Sequence, residues 1–161
     1  WTDAPQTRPI AVRDPRIALF PSRRAPRGEG EGSGEEPMHG AGALKDAHVL
    51  LVEDDFIVAF DMRMLLEEQG ARVLGPAASV DEARSLLASS APNVAVLDVN
   101  LNGELVFPFA EELQARGIPL VFATAYADDD RLFPSAARLA PRLAKPVLPN
   151  VLIGQVARLL K

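Results

Sequence analysis

From residue 47 to Lys161 the chain alternates five times between a short aliphatic run and a stretch with helical periodicity. "AHVLLV" is followed by a helical stretch in which Phe56, Ile57, Phe60 and Met64 recur before Gly70 stops it. "ARVLG" pairs in the same way with "SVDEARSLLASS", "NVAVLDV" with the helix through "FAEELQARG", "IPLVFAT" with "DDDRLFPSAARLA", and "RLAKP" with "PNVLIGQVARLL". Strands that are apolar throughout have no face to give to water, and the amphipathic segments between them must lie over the sheet as crossovers. The expectation is an open, doubly wound α/β fold with a parallel sheet. Turn residues agree with the periods: Pro92 and Asn93 precede the third strand, Asn102 and Gly103 follow it, and Gly117 with Pro119 opens the fourth.

The segment before this alternation is of another kind. Pro5, Pro9, Pro15, Pro21, Pro26 and Pro37 interrupt it, and "GEGEGSG" spans Gly28 to Gly34, so no period survives. Such a stretch buries too little apolar surface to offset the entropy of ordering, and residues 1–46 are expected to be a disordered extension. "IALF" at Ile17 to Phe20 is either a docking peptide or solvated tail. The chain begins with Trp1, and Met38 stands shortly before the first regular element, which makes Met38 the expected natural start.

Charge and composition exclude several functions. Residues 1–37 carry equal numbers of basic and acidic side chains, so the net charge of −5 belongs to the remainder. That remainder lacks the clustered basic face that nucleic acid requires. With no cysteine, disulfides, thiolate metal sites and thiol redox chemistry are excluded. No apolar run approaches the roughly 20 residues of a membrane span, and no signal-peptide pattern opens the chain, so a cytoplasmic protein is expected.

In open parallel sheets, ligands bind beyond the carboxyl ends of the strands. Here those ends hold Glu53, Asp54 and Asp55 after the first strand, Asp98 after the third, Thr124 at the fourth, and Lys145 with Pro146 after the fifth. Two carboxylates about 4 Å apart repel by roughly 4 kcal/mol at an effective dielectric near 20, a penalty that a divalent cation removes. All-oxygen ligation suits Mg²⁺ or Mn²⁺, with Asp54 and Asp98 as direct ligands, Glu53 through water, and the backbone carbonyl of Asn100. The other reading of these acids is that they cap the following helix, a role expected of Asp55 in any case.

"VEDD", "LDVNLNG", "FATAY" and "AKP", in this order, resemble the receiver domain of two-component response regulators, over residues 47–161. The resemblance implies a flavodoxin-like sheet of order 2-1-3-4-5. It implies Asp98 as acceptor of a phosphoryl group from a histidine kinase or phosphotransfer protein, Glu53 and Asp54 as the acidic metal pair, Thr124 as the switch hydroxyl and Lys145 as the lysine that contacts the phosphoryl group. The function expected is a stand-alone switch that selects protein partners or relays phosphate, and that does not turn over substrate. "PLVFATAY" is also similar to the "FATGxY"-like motif of alphaproteobacterial stress-response and single-domain regulators, with Ala125 where Gly is usual.

Three features depart from the family pattern. Arg142 occupies the position, three before the lysine, where receivers carry an aromatic switch. Tyr126 is then either the replacement gate or a loop tyrosine packed on the fourth helix. Pro108, inside the third helical stretch, stands later than the proline that many receivers carry a few residues beyond the phosphoacceptor, and is expected to delay or kink that helix, while Asp128 to Asp130 are expected to cap the fourth helix. Two other functions remain: a phosphate-independent protein-binding receiver, and a haloacid-dehalogenase-type phosphohydrolase, whose second Asp would stand where this chain has Asn100.

Overall fold

The computed structural model describes residues 42–161. The expectations for the segment up to residue 41, including its disorder, the Met38 start and the "IALF" peptide, lie outside the described residues. Of the residues assigned to the extension, 42–46 are described. Residues 42–46 form a turn that buries Leu44, whose N–H donates to the Gln69 carbonyl at 2.9 Å.

Five parallel strands form the main sheet: β1 (His48–Val52), β2 (Arg72–Ala77), β3 (Val94–Leu97), β6 (Leu120–Thr124) and β7 (Arg142–Ala144), in the order β2-β1-β3-β6-β7. Counting these five alone, the order is the expected 2-1-3-4-5. The three central strands are buried nearly throughout because both faces of the sheet are covered. Alternate residues feed two cores. Leu50, Val52, Ala95, Leu97 and Phe122 meet the helices α2 (Val80–Ser89) and α3 (Phe107–Ala115) on one face. Val49, Leu51, Val94, Val96 and Val121 meet α1 (Phe56–Glu68) and α4 (Pro149–Leu159) on the other.

Local chemistry sets the helix starts. Asp55 caps α1, accepting from the N–H groups of Ile57 and Val58 at 2.9 and 3.1 Å, as expected. Ser79 caps α2 by accepting from Glu82 N–H, while the Glu82 carboxylate reaches back to Ala78 N–H. Pro108 falls in the first turn of α3, which delays that helix to Phe107, as its position suggested.

The structure corrects the sequence reading in three places. Helix α1 forms, but the stripe of Phe56, Ile57, Phe60 and Met64 faces outward, and the sheet is met by Ala59, Met62 and Leu66. The helix is apolar around most of its circumference, so spacing alone does not choose the buried side. The loop after β3 is a small antiparallel hairpin, β4 (Asn100–Leu101) with β5 (Glu104–Leu105), closed by Asn102 and Gly103 at φ 52° and 94°. Two central residues with positive φ make the tight turn that Asn-Gly favours. The expected fourth helix is absent: "DDDRLFPSAARLA" folds as turns and one 3-10 turn, Ser135–Ala137. Pro134 is extended there, with ψ 157°, and interrupts the helical path. Asp128 to Asp130 therefore cap no α-helix, and Asp129 instead accepts from the Arg131 backbone and guanidinium. Buried Phe133 anchors the irregular segment, edge-on to Phe107 and Phe122 at centroid distances of 5.3 and 5.5 Å.

Candidate functional site

Four of the five strands of the main sheet deliver a residue at or just beyond their carboxyl end to the same rim. Glu53 and Asp54 follow β1, Asp98 follows β3, Thr124 ends β6, and Lys145 follows β7. Parallel pairing of β1 with β3, β3 with β6 and β6 with β7 aligns those ends, bringing side chains distant in sequence together.

Lys145 is the centre of the arrangement. Its Nζ donates to Glu53 Oε2 at 2.5 Å and to Asp98 Oδ2 at 3.0 Å. One oxygen from each of Glu53, Asp54 and Asp98 lies within 4.8 Å of the others. Glu53, Asp98 and Thr124 are the buried polar side chains among the described residues. Burial pushes the Glu53 carboxyl above its ordinary range, opposed by the hydrogen bond from Lys145. Burial alone would lower Lys145, but hydrogen bonds to Glu53 and Asp98 and the charges behind them outweigh it and raise its pKa.

Fully ionised, three carboxylates against one ammonium leave a double negative charge. That excess and the all-oxygen donor set fit a divalent cation of the Mg²⁺ or Mn²⁺ kind. Asp54 keeps a carboxylate oxygen for such a role, since only Oδ2 is engaged, by the Asn102 N–H at 2.9 Å. The β4–β5 hairpin thus holds one metal-ligand candidate in place. Sequence reading missed this contact, although Asn-Gly after an aliphatic strand was the available signal.

A cleft of about 350 Å³ opens over these groups, lined by Asp54, Asp98, Asn100, Ala125, Tyr126 and Lys145 among others. Asn100 is therefore at the site, and its side-chain oxygen accepts from Gly103 N–H at 2.7 Å. A dehalogenase-type second acid has no counterpart at that position. Thr124 stands at the end of β6, fully buried behind Ala125 and Tyr126 of the cleft wall, and its Oγ1 accepts from the Tyr126 N–H at 3.1 Å. Tyr126 is half exposed at the cleft wall, and no fourth helix is there to pack against it.

Arg142 also has an unforeseen setting. Its guanidinium lies 3.8 Å from the Phe133 ring centroid, and Nη1 donates to Asp130 Oδ1 at 2.7 Å and to the Ala127 carbonyl at 3.2 Å.

Comparison with known proteins decides the family. Residues 49–157 match the response regulator receiver domain. The chain belongs to that family. As a receiver domain it is a component of two-component signalling, and the flavodoxin-like fold inferred from its motifs is the one its sheet adopts.

Among curated proteins, the receiver domain is 29% identical over 114 residues to the transcriptional regulatory protein PdtaR of Mycobacterium tuberculosis, covering 70% of this chain and 55% of that protein. The chain spans about half the length of the curated relatives it matches. Among solved structures, SdrG from Sphingomonas melonis Fr1 is 35% identical with a TM-score of 0.61, covering 74% of this chain and 98% of SdrG. The response regulator PhyR from Brucella abortus is 26% identical with a TM-score of 0.61, covering 76% of this chain and 51% of PhyR. No helix among the described residues is long and apolar enough to cross a membrane.

Proposed function

We propose that Asp98 accepts a phosphoryl group from the phosphohistidine of a histidine kinase or phosphotransfer protein, and that the charge gained there changes which proteins the receiver binds. The observation that carries this reading is the Lys145 ammonium bridging Glu53 and Asp98 beside Asp54, at the floor of an open cleft.

In the transfer, a carboxylate oxygen of Asp98 bonds to phosphorus as the P–N bond to the donor imidazole breaks. The imidazole leaves with that electron pair and takes a proton. The product is an acyl phosphate carrying about −1.5 to −2 charge. Lys145 stays charged at this site and follows the oxygens on which the charge settles. Asp54, Asp98 and the Asn100 carbonyl, with Glu53 alongside, would hold a divalent cation such as Mg²⁺ or Mn²⁺, which would supply the remaining charge compensation. The protein's contribution is positioning and electrostatics rather than turnover, in keeping with a family whose members are generally not turnover enzymes.

The test is mass spectrometry after incubation with a small phosphodonor and Mg²⁺. Wild-type protein is expected to gain one phosphoryl group, and Asp98→Asn or removal of divalent cations to abolish the gain. An unmodified wild type at saturating Mg²⁺ would leave a phosphate-independent binding module as the better reading.

A further inference from the structure

We propose that Arg142 is a positioning residue for the switch: it fastens the segment from Ala125 to Phe133 to the edge strand and so sets the cost of turning Thr124 toward Asp98. The proposal rests on the reading of Asp98 as phosphoacceptor and adds the element that restrains the response. Arg142 sits on β7, paired in register with Phe122 of β6, with only 13% of its side chain exposed. From there a single guanidinium holds three residues of one segment: it accepts the Phe133 ring as a stacking partner, donates to the Asp130 carboxylate and donates to the Ala127 carbonyl. Phe133 is itself wedged between Phe107 and Phe122, so one end of the grip is immobile core.

The other end of the segment reaches the site. Tyr126 precedes the gripped Ala127, its carbonyl accepts from Asp129 N–H at 3.1 Å, and its own N–H donates to Thr124 Oγ1. In this arrangement Thr124 is buried and contributes nothing to the cleft wall, where Ala125 and Tyr126 stand instead. Thr124 Oγ1 accepts from the Tyr126 N–H and keeps its own hydrogen to donate, so a shift of Thr124 toward a phosphoryl oxygen on Asp98 draws the Tyr126 backbone with it, and Tyr126 moves only as far as Ala127 and Asp130 allow. The planar guanidinium stacks on the Phe133 ring while its Nη1 donates to both oxygens; a lysine ammonium can keep the ion pair but has no planar face to stack. A ligand shifts a two-state equilibrium only by its differential affinity for the two states, so a grip that stabilises the resting arrangement lowers apparent affinity for the phosphoryl group.

The experiment titrates beryllofluoride, a phosphoryl mimic, with Mg²⁺ into wild type, Arg142→Ala, Arg142→Lys and Asp130→Asn, and reads amide hydrogen exchange in parallel. Arg142→Ala is expected to bind beryllofluoride at least about fivefold more tightly, the lower end of typical coupling between sites. Exchange is expected to quicken at residues 126–130 while β1 and β3 stay protected. Arg142→Lys should restore part of the wild-type behaviour, and Asp130→Asn, altering a side chain 82% exposed and so safe for folding, should move affinity in the same direction by less. Unchanged or weaker binding in Arg142→Ala and Asp130→Asn, with wild type responding in an Asp98-dependent manner, overturns the proposal alone. No response in wild type overturns the Asp98 reading and this coupling with it.

Discussion

Glu53 is 2% exposed, and its only described cationic partner is Lys145, so these two residues decide the resting electrostatics of the site. Removing one partner of a buried pair leaves an uncompensated charge, which costs about 3 kcal/mol or more. Lys145→Ala is therefore expected to lose about that much stability near neutral pH, measured by urea unfolding. The pH dependence has a definite sign. The folded pKa of Lys145 lies above its ordinary 10.5, so its contribution is complete below 10.5 and disappears as pH rises through the folded value. Glu53 also has a raised folded value, above 4.5, and between the two values the folded state binds the extra proton, so its ionisation erodes stability as pH rises through that window. Without Lys145, Glu53 protonates more readily still. The deficit of Lys145→Ala should shrink on acidification to about pH 5, and a deficit that grows instead would count against this account. Asp98, Asp54, Glu53 and Lys145 were legible in the sequence because a strand end fixes where a residue sits. Thr124 was placed at its strand end in the same way, but its bond from the Tyr126 N–H was not legible, since that depends on the backbone of the next loop.

Elements were legible where one period dominated. The five strands and α2, α3 and α4 follow from aliphatic runs, capping residues and turn residues. Helix α1 was legible as a helix but not in its buried side, because apolar residues lie on both. The segment before β7 has helix-compatible composition, yet Pro134 and the long-range wedge of Phe133 override it, and the partners of Arg142 lie in that same misread stretch. Strand β2 carries a subtler constraint. Its register with β1 shifts between Leu50 and Val52, opposite Gly75, which has φ 104°. A Cβ there would stand 2.7 Å from the Leu51 carbonyl oxygen and 2.8 Å from the Ala77 nitrogen, both backbone atoms that cannot swing aside. Gly75→Ala combines that clash with a conformation L-residues rarely adopt, and is expected to cost about 2 kcal/mol or more in urea unfolding. A loss below about 0.5 kcal/mol would mean that the β1–β2 edge is far softer than its packing implies.

At the scale of the whole molecule, the outward face of α1 is the feature that stability alone does not explain. Phe56, Ile57, Phe60 and Met64 are 78%, 71%, 52% and 42% exposed, and the Phe56 and Phe60 rings stack at 6.3 Å. Leu148 and Val151, at the start of α4, are also exposed, and α4 packs beside α1 on the same side of the sheet. Contiguous exposed apolar surface marks a place where another protein docks. Both helices begin at the rim that carries the acidic cluster: α1 directly after Asp55 and α4 shortly after Lys145 and Pro146. Under the function proposed above, a donor protein seated there would be placed to present its phosphohistidine to Asp98, whereas a small phosphodonor needs only the cleft. The two routes should therefore separate. Phe56→Ser with Phe60→Ser is expected to leave stability within about 0.5 kcal/mol and phosphorylation by a small phosphodonor unchanged, because neither ring is part of the core or the cleft. Phosphotransfer from a panel of phosphorylated kinases and phosphotransfer proteins should fall at least about tenfold for the cognate donor, the loss expected when aromatic anchors leave an interface. Equal loss by both routes would place the rings in the chemistry or the fold, and no loss by either would move the donor's seat to another face of the sheet.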